Sequence, residues 1–538
     1  MTFDLPAISA DARPAFRDTG SCAAWLQTLP LINVGPSHGR LLAEIEQLNC
    51  CEISPSERLQ VLELLCEAVS FVQAEQAKKF SNRAVPLTVP EREILANVKA
   101  LWKAFGQGYV QCLQALASVN RGLLAGSSQL ALACQRAIWC AFQSIAEQHR
   151  CYQQVSASDW KLLHRLYAFA EEQKLVDQQV EHPVQKQQWK TTCMETYTQP
   201  LLLQLANPDE LTARQQRLAA RWLDRWGTNV RIRSAPPATD GKPVCPMVVD
   251  LAGDKGPLRE QLEASATRRF LDVTELGKSI RMRLSLLQKG DTPEKLSLGE
   301  DVTAQLAEQL LLLLHRLWCE DKPVRSPARK SASAGAELAT GMGALHYYIT
   351  GLPFRQPGES KELTKEQREE IATFGRISTH ADTEYARKHG FLLEQWHIRD
   401  ESLAGMRLER NAGTGRFVHT QLVAVRPTDA RSYVLATVRW LCIDENYVPM
   451  MGIRALPGVP KGIAIRATGL NAMADKYIPA LLLSAVPALR SPESLVLPSG
   501  WFKPRRVIEA WTEQSQQLML NAVLDRGSDF ERVSFEVV

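Results

Sequence analysis

Between residues 37 and 226 apolar side chains recur three and four positions apart, and polar capping spellings stand before the runs, the pattern of amphipathic helices. In Ser54-Pro55-Ser56-Glu57 the serine is suited to cap and proline fits the first helical position, where no N–H is needed. The glutamate three residues on can reach back to the cap. The stripe that follows, Leu59, Leu62, Leu65, Val69 and Val72, predicts a core-facing helix. Thr88-Val89-Pro90-Glu91 and Asn207-Pro208-Asp209-Glu210 repeat the grammar, and Ser158 before Trp160 is a shorter version of it. The expectation is an all-α domain of about six to eight helices.

A stretch over 227–256, rich in proline and glycine, interrupts the pattern and reads as a linker. Helical periodicity returns over 268–287 and 302–319, followed by a polar tract at 322–335 that reads as a loop and a short helix through Leu345 and Tyr348. After Thr364-Lys365-Glu366-Gln367, another capping spelling, the composition changes to short β-rich runs at 391–398, 417–425, 433–443, 450–456 and 462–467. Within 433–443 the even positions Val434, Ala436, Val438, Trp440 and Cys442 are all apolar while Thr437 and Arg439 lie opposite, which predicts one buried face. Strands this short and closely spaced favour closure into a small barrel that leaves no exposed edge. Further β runs fall at 480–483, 494–497, 507–510 and 533–537. The predicted fold class is multidomain α+β. It comprises an all-α bundle over 1–235, a mainly helical connecting region over 236–360, an antiparallel β-barrel over 361–470 and a β-rich C-terminal extension over 471–538.

Composition narrows the function. The 538 residues are 45% hydrophobic, enough for more than one core, and 63 Lys+Arg against 59 Asp+Glu leave a net charge of only +4. The chain is therefore not a polycation built to coat DNA or RNA, and any basic site is local. Its 12 cysteines never form a Cys-x-x-Cys or a Cys/His cluster at zinc spacing, so buried thiols in a reducing compartment are expected and no metal ligand is assigned. The opening stretch carries Asp4, Pro6 and Asp11 where a signal peptide needs a basic end and an apolar run, and no apolar run is long enough for a transmembrane segment. A cytoplasmic location is the expectation. Gly35-Pro36-Ser37-His38-Gly39 spells a nucleophile elbow, but too few residues precede it to build the sheet from which an elbow emerges. Gly341-Met342-Gly343 lacks the third glycine of a dinucleotide fingerprint. No catalytic residue, cofactor or enzyme activity is assigned.

One constellation carries chemistry. Asp400, Ser402 and Gly405 fit Asp/Asn-x-Ser-x-x-Gly, where a strand ending Trp396-His397-Ile398 turns into Met406-Arg407-Leu408. A carboxylate accepts from the N–H groups of a guanine, a hydroxyl adds a polar contact, and glycine permits close backbone approach. Between Arg399 and Arg466 there are ten Lys/Arg against six Asp/Glu, and nine of the ten are arginine, whose planar fork pairs with phosphate and stacks on purines. The segment resembles the PilZ domain. The later runs Val438-Arg439-Trp440 and Met451-Gly452-Ile453-Arg454 are similar to that family's later strands, and the second matches its Val-Gly-Val-Arg-like spelling.

The resemblance covers about residues 365–470 and implies a barrel that binds cyclic di-GMP through Asp400, Ser402 and Gly405. The family's second signature, Arg-x-x-x-Arg before the barrel, is not spelled between Leu363 and Asp400; Arg376, followed by His380, is the nearest approach. Arg376, Arg399, Arg407 and Arg410 are the candidate phosphate ligands. The resemblance further implies a bacterial second-messenger effector controlling motility, pili, adhesion or polysaccharide, with a protein partner engaged by the helical region. The alternative is a scaffold whose degenerate PilZ-like barrel no longer binds nucleotide and docks a protein instead. A hairpin turn, in which Asp400 and Ser402 bond local backbone, is the purely structural reading of the motif.

Overall fold

The computed structural model describes residues 3–119, 127–184, 189–237, 245–320, 330–358, 379–402, 404–468 and 476–538. The chain divides into two compact units, Met1–Arg83 with Leu87–Val324, and Arg325–Val538 with the short segment Ala84–Pro86.

In the first unit eight α-helices are described between Thr19 and Trp226: α1 (Thr19–Gln27), α2 (Val34–Asn49), α3 (Pro55–Ala77), α4 (Val89–Val119), α5 (Ser127–Arg150), α6 (Ala157–Glu172), α7 (Cys193–Leu205) and α8 (Ala213–Trp226). The Ser54 side chain accepts the Glu57 N–H at the start of α3, and all five residues of its predicted stripe are buried. Two caps fall elsewhere than expected. Asn207 adopts a left-handed conformation ahead of a single 3₁₀ turn, and α8 is capped by Thr212 with Gln215 in a capping box. Ser156 rather than Ser158 caps α6, because its hydroxyl reaches the Asp159 N–H at 3.2 Å. Ser37 lies in the first turn of α2, fully buried, with its hydroxyl donating to Pro30 O at 2.7 Å, so it is no exposed nucleophile.

The unit also holds a two-stranded β1 (Val180–Glu181) and β2 (Lys190–Thr191) ribbon, and a four-stranded sheet ordered β3-β6-β4-β5. Its strands are β3 (Arg231–Arg233), β4 (Met247–Asp250), β5 (Leu258–Arg259) and β6 (Arg268–Asp272). The helix expected from residue 268 is corrected here: Phe270 pairs with Val248 on the sheet, Asp272 Oδ1 accepts from the Thr274 N–H at 3.1 Å, and α9 (Thr274–Gln288) begins only then. Helix α10 (Ala304–Cys319), capped by Thr303, follows. Buried tryptophans tie these pieces together with satisfied N–H groups: Trp222 donates to Leu298 O at 2.8 Å and Trp318 to Leu202 O at 2.9 Å.

The second unit contains two closed six-stranded barrels. Barrel one runs β7 (Lys330–Thr340), β8 (Leu393–Ser402), β9 (Gly405–Ala412), β10 (Leu422–Pro427), β11 (Val434–Ile443) and β12 (Pro449–Ala455), closing in the order β10-β11-β12-β9-β8-β7. Helices α11 (Met342–Thr350) and α12 (Thr379–Lys388) lie between β7 and β8 in the chain. Barrel two runs β13 (Pro460–Ala467), β14 (Ile478–Leu483), β15 (Ser494–Pro498), β16 (Val507–Trp511), β17 (Ser515–Arg526) and β18 (Phe530–Val537), in the order β13-β14-β15-β18-β17-β16.

The expected boundaries shift accordingly. Barrel one begins at Lys330, inside the predicted loop, because the small residues of β7 pair with β8 on one side and β10 on the other. Residues 462–467 belong to the second barrel, not the first, and the C-terminal extension is that barrel. Its own core gathers Ile465, Leu495, Leu497, Ile508, Leu520 and Val533. A separate cluster joins the barrels: Leu422, Ala424 and Leu435 of the first pack with Leu481, Leu483 and Phe530 of the second. Each fully buried Leu or Phe contributes about 1.5–3 kcal/mol, so this seam is a core rather than a hinge.

The one-sided burial predicted for 433–443 is not found: Leu435, Ala436, Thr437 and Val438 are all buried. A bulge between Val438 and Trp440 inserts Arg439, after which Leu441 and Ile443 face inward and Trp440 and Cys442 do not. Upstream of the bulge Leu435 and Thr437 are buried as well, the former in the seam between the barrels.

Candidate functional site

Cross-strand register places the motif residues in two adjacent rows on the outer surface of barrel one. Asp400 pairs with Arg407, Arg407 with Gly452, and Gly452 with Trp440, so four strands contribute one residue each to the first row. Two residues along the strands, Ser402 pairs with Gly405, Gly405 with Arg454 and Arg454 with Thr437. The intervening row, Met406, Ile453 and Val438, is offset by one residue; Ile453 and Val438 are buried in the barrel. Asp400 and Ser402 end β8, and Gly405 opens β9.

The bulge at Arg439 completes the first row, because it turns Trp440 outward over the strand that carries Gly452. A Cβ on Gly452 would lie 1.8 Å from the indole nitrogen, so only glycine lets the ring lie flat against the sheet. The Arg407 guanidinium sits 6.0 Å from the indole centroid, and its Nε is buried without a hydrogen-bond partner among the described residues. An acid, a guanidinium and a half-exposed aromatic face thus stand side by side, the set needed to hydrogen-bond, charge-pair and stack on a planar base.

Gly405 has a structural reason of its own. A Cβ there would lie 2.0 Å from the Ile453 carbonyl oxygen, so the close approach it allows is to the neighbouring strand. Ser402 Oγ donates to Gly405 O at 3.2 Å, tying the hairpin ends together.

The other candidate arginines are placed differently. Arg399 forms a two-pronged ion pair with Glu409, at 2.7 and 2.8 Å, and that hydrogen bonding holds the Glu409 carboxyl below its ordinary range. Arg410 is nearly buried, packed 5.3 Å from the ring centroids of both Trp396 and Phe417 and paired with the buried Glu394 at 3.2 Å. Burial pulls its guanidinium below the usual range. Arg399 is held in a surface ion pair and Arg410 works inside barrel one, whereas Arg407 shares a row with Asp400. Arg376 lies outside the described residues. Sequence reasoning missed Trp440 as a surface residue; the signal that pointed to it is Gly452, a glycine in the interior of a strand, which marks a close approach.

Among the described residues no group of three or more His, Cys, Asp or Glu is placed to hold a metal ion, and no helix is long and apolar enough to cross a membrane.

The architecture defines a class: a multidomain α+β protein in which a helical unit precedes a pair of closed antiparallel barrels, the first displaying a motif-bearing polar surface. Comparison with known proteins narrows it. Residues 20–238 match the family model described as the N-terminal domain of the cyclic-di-GMP receptor FimW, and residues 463–538 match the FimW C-terminal β-barrel domain. The chain is 23% identical over 513 residues to the cyclic-di-GMP receptor FimW of Pseudomonas aeruginosa, covering 88% of this chain and 83% of that protein. The two matched regions flank barrel one.

Proposed function

We propose that this chain is a cyclic di-GMP-binding effector of a bacterial second-messenger pathway controlling pili, motility, adhesion or polysaccharide, and that it signals by binding rather than by chemistry. The observation that carries the reading is the outward row Asp400, Arg407, Gly452 and Trp440, next to the row holding Ser402 and Gly405. In this reading Asp400 accepts from the guanine N–H groups, Trp440 supplies a stacking face, Arg407 turns toward phosphate, and Ser402 adds a hydroxyl. The similarity to a named cyclic-di-GMP receptor across most of the chain supports the ligand, and the helical unit is assigned the protein partner.

Calorimetry of the full chain with cyclic di-GMP tests it. Asp400→Ala and Ser402→Ala are each expected to weaken binding, the former by about 1.5–3 kcal/mol for loss of a charged hydrogen bond. Arg399→Ala, which removes only the Glu409 pair, is expected to leave affinity unchanged. A wild-type chain that releases no heat at micromolar ligand favours the other reading, a degenerate barrel that docks protein. The Arg-x-x-x-Arg spelling missing between Leu363 and Asp400 does occur directly ahead of β7, as Arg325-Ser326-Pro327-Ala328-Arg329, so the sequence before barrel one does not favour that reading.

A further inference from the structure

A second basic site lies in the seam between the barrels. A cavity of about 260 Å³ is lined by Arg439 and Arg454 of barrel one and by Arg490 and Arg532 from barrel two, with Asp525 its one carboxylate. Arg532 is 5% exposed and forms the floor. Its Nε donates to Ser494 Oγ at 2.9 Å, one terminal nitrogen to Asp525 at 2.9 Å, and the other to Ser491 Oγ. A guanidinium has five N–H donors, so this anchoring leaves two unspent.

Arg439, Arg454 and Arg490 are exposed, and among the described residues none of their side chains has a hydrogen bond or ion pair. Three unpaired guanidiniums converging on one cleft, above a fourth whose acid is already engaged, repel one another and concentrate positive potential where a low-dielectric wall focuses it. An oxyanion relieves that repulsion, and arginine forks match the oxygens of a phosphate ester.

Two features connect this cavity to the motif surface. Arg454 is the cross-strand partner of Gly405, so it borders the cavity and the Ser402 row at once. The bulged Arg439 lines the cavity while its chain neighbour Trp440 stands in the Asp400 row. The two rows are separated by two residues of strand, about 7 Å, the order of the distance from a nucleobase to its own phosphate.

We infer that the seam cavity is a phosphate-binding subsite that seats a phosphodiester of the cyclic dinucleotide, with Arg454 contributed by barrel one and Arg490 by barrel two. This rests on the cyclic di-GMP reading. These arginines belong to the two barrels themselves, and the ligand spans the seam between them.

The test titrates cyclic di-GMP and, separately, pyrophosphate into the full chain by calorimetry at two salt concentrations, for wild type, Arg454→Ala, Arg454→Lys, Arg490→Ala and, as a charge control outside the cavity, Arg431→Ala. Thermal unfolding of each variant confirms the fold. The inference expects Arg454→Ala and Arg490→Ala each to weaken cyclic di-GMP about tenfold or more and to flatten its salt dependence, with partial recovery in Arg454→Lys and no change in Arg431→Ala. Wild-type binding that survives both alanine substitutions overturns the subsite and leaves the effector reading standing. No wild-type binding of cyclic di-GMP overturns both. Pyrophosphate binding lost in Arg490→Ala, with cyclic di-GMP unaffected, shows a site for a different phosphorylated molecule and overturns the assignment to the dinucleotide.

Discussion

The indole of Trp440 lies flat on the strand carrying Gly452, the residue stays half-exposed, and the Arg407 guanidinium sits over the ring at 6.0 Å from its centroid. A ring fixed in this way needs little ordering when a base stacks on it, since its rotamer is already set by the sheet. Trp440→Ala is expected to cost about 1–3 kcal/mol of cyclic di-GMP affinity, the range for one base–aromatic stack, while Trp440→Phe keeps part of it. Ligand titrations followed by intrinsic fluorescence and by calorimetry check this. Equal affinity in Trp440→Ala and wild type removes the indole from the site. Asp400 and Ser402 were legible as site candidates in the sequence because acid, hydroxyl and glycine stood at a fixed spacing after a strand. Trp440 was not, because an alternating pattern assigned it to the interior and a one-residue bulge reversed the faces.

Among the elements, helices were the more readable. The α3 stripe is buried as its periodicity predicts, and most β runs reappear as strands within a few residues. Strands β7 and β17 escaped notice for opposite reasons. The first is built of small residues without β-branched bulk, and the second carries polar side chains at both ends of its length. Both are specified by partners on either side, which composition does not encode.

In barrel two, Glu509 links three elements. It accepts from Arg466 at 2.7 Å, from the Tyr477 hydroxyl at 2.7 Å and from Ser515 at 2.5 Å, and these hydrogen bonds, that of Arg466 foremost, bring its carboxyl down to about 2. A folded-state value below the ordinary 4.5 means that the charge stabilises the fold above that pH and that the benefit is lost as pH falls toward about 2. Glu509→Gln is therefore expected to lower the melting temperature at pH 7, with the gap to wild type shrinking as pH drops below about 4.5. Thermal melts across that range check it; a gap that stays constant with pH would show that the carboxylate charge is not what holds the three strands.

At the scale of the whole molecule, sequence patterning separated a helical region from a β region but set the boundary too late. Residues 325–538 form one unit, and the two barrels share a core through Leu422, Leu435, Leu481 and Phe530. A shared core makes the barrels a single platform, so a ligand bridging the seam meets a surface already assembled. The helical unit, matched over residues 20–238, is where the proposed function puts the protein partner.

In the proposed function cyclic di-GMP is held on the outer face of barrel one. Hydrogen–deuterium exchange of the full chain, with and without cyclic di-GMP, measures this directly. Ligand-induced protection is expected in peptides covering β8, β9, β11 and β12, strongest around Asp400 to Arg407 and Trp440 to Arg454. Protection confined to the helical unit, with those four strands exchanging as in the free protein, would contradict it.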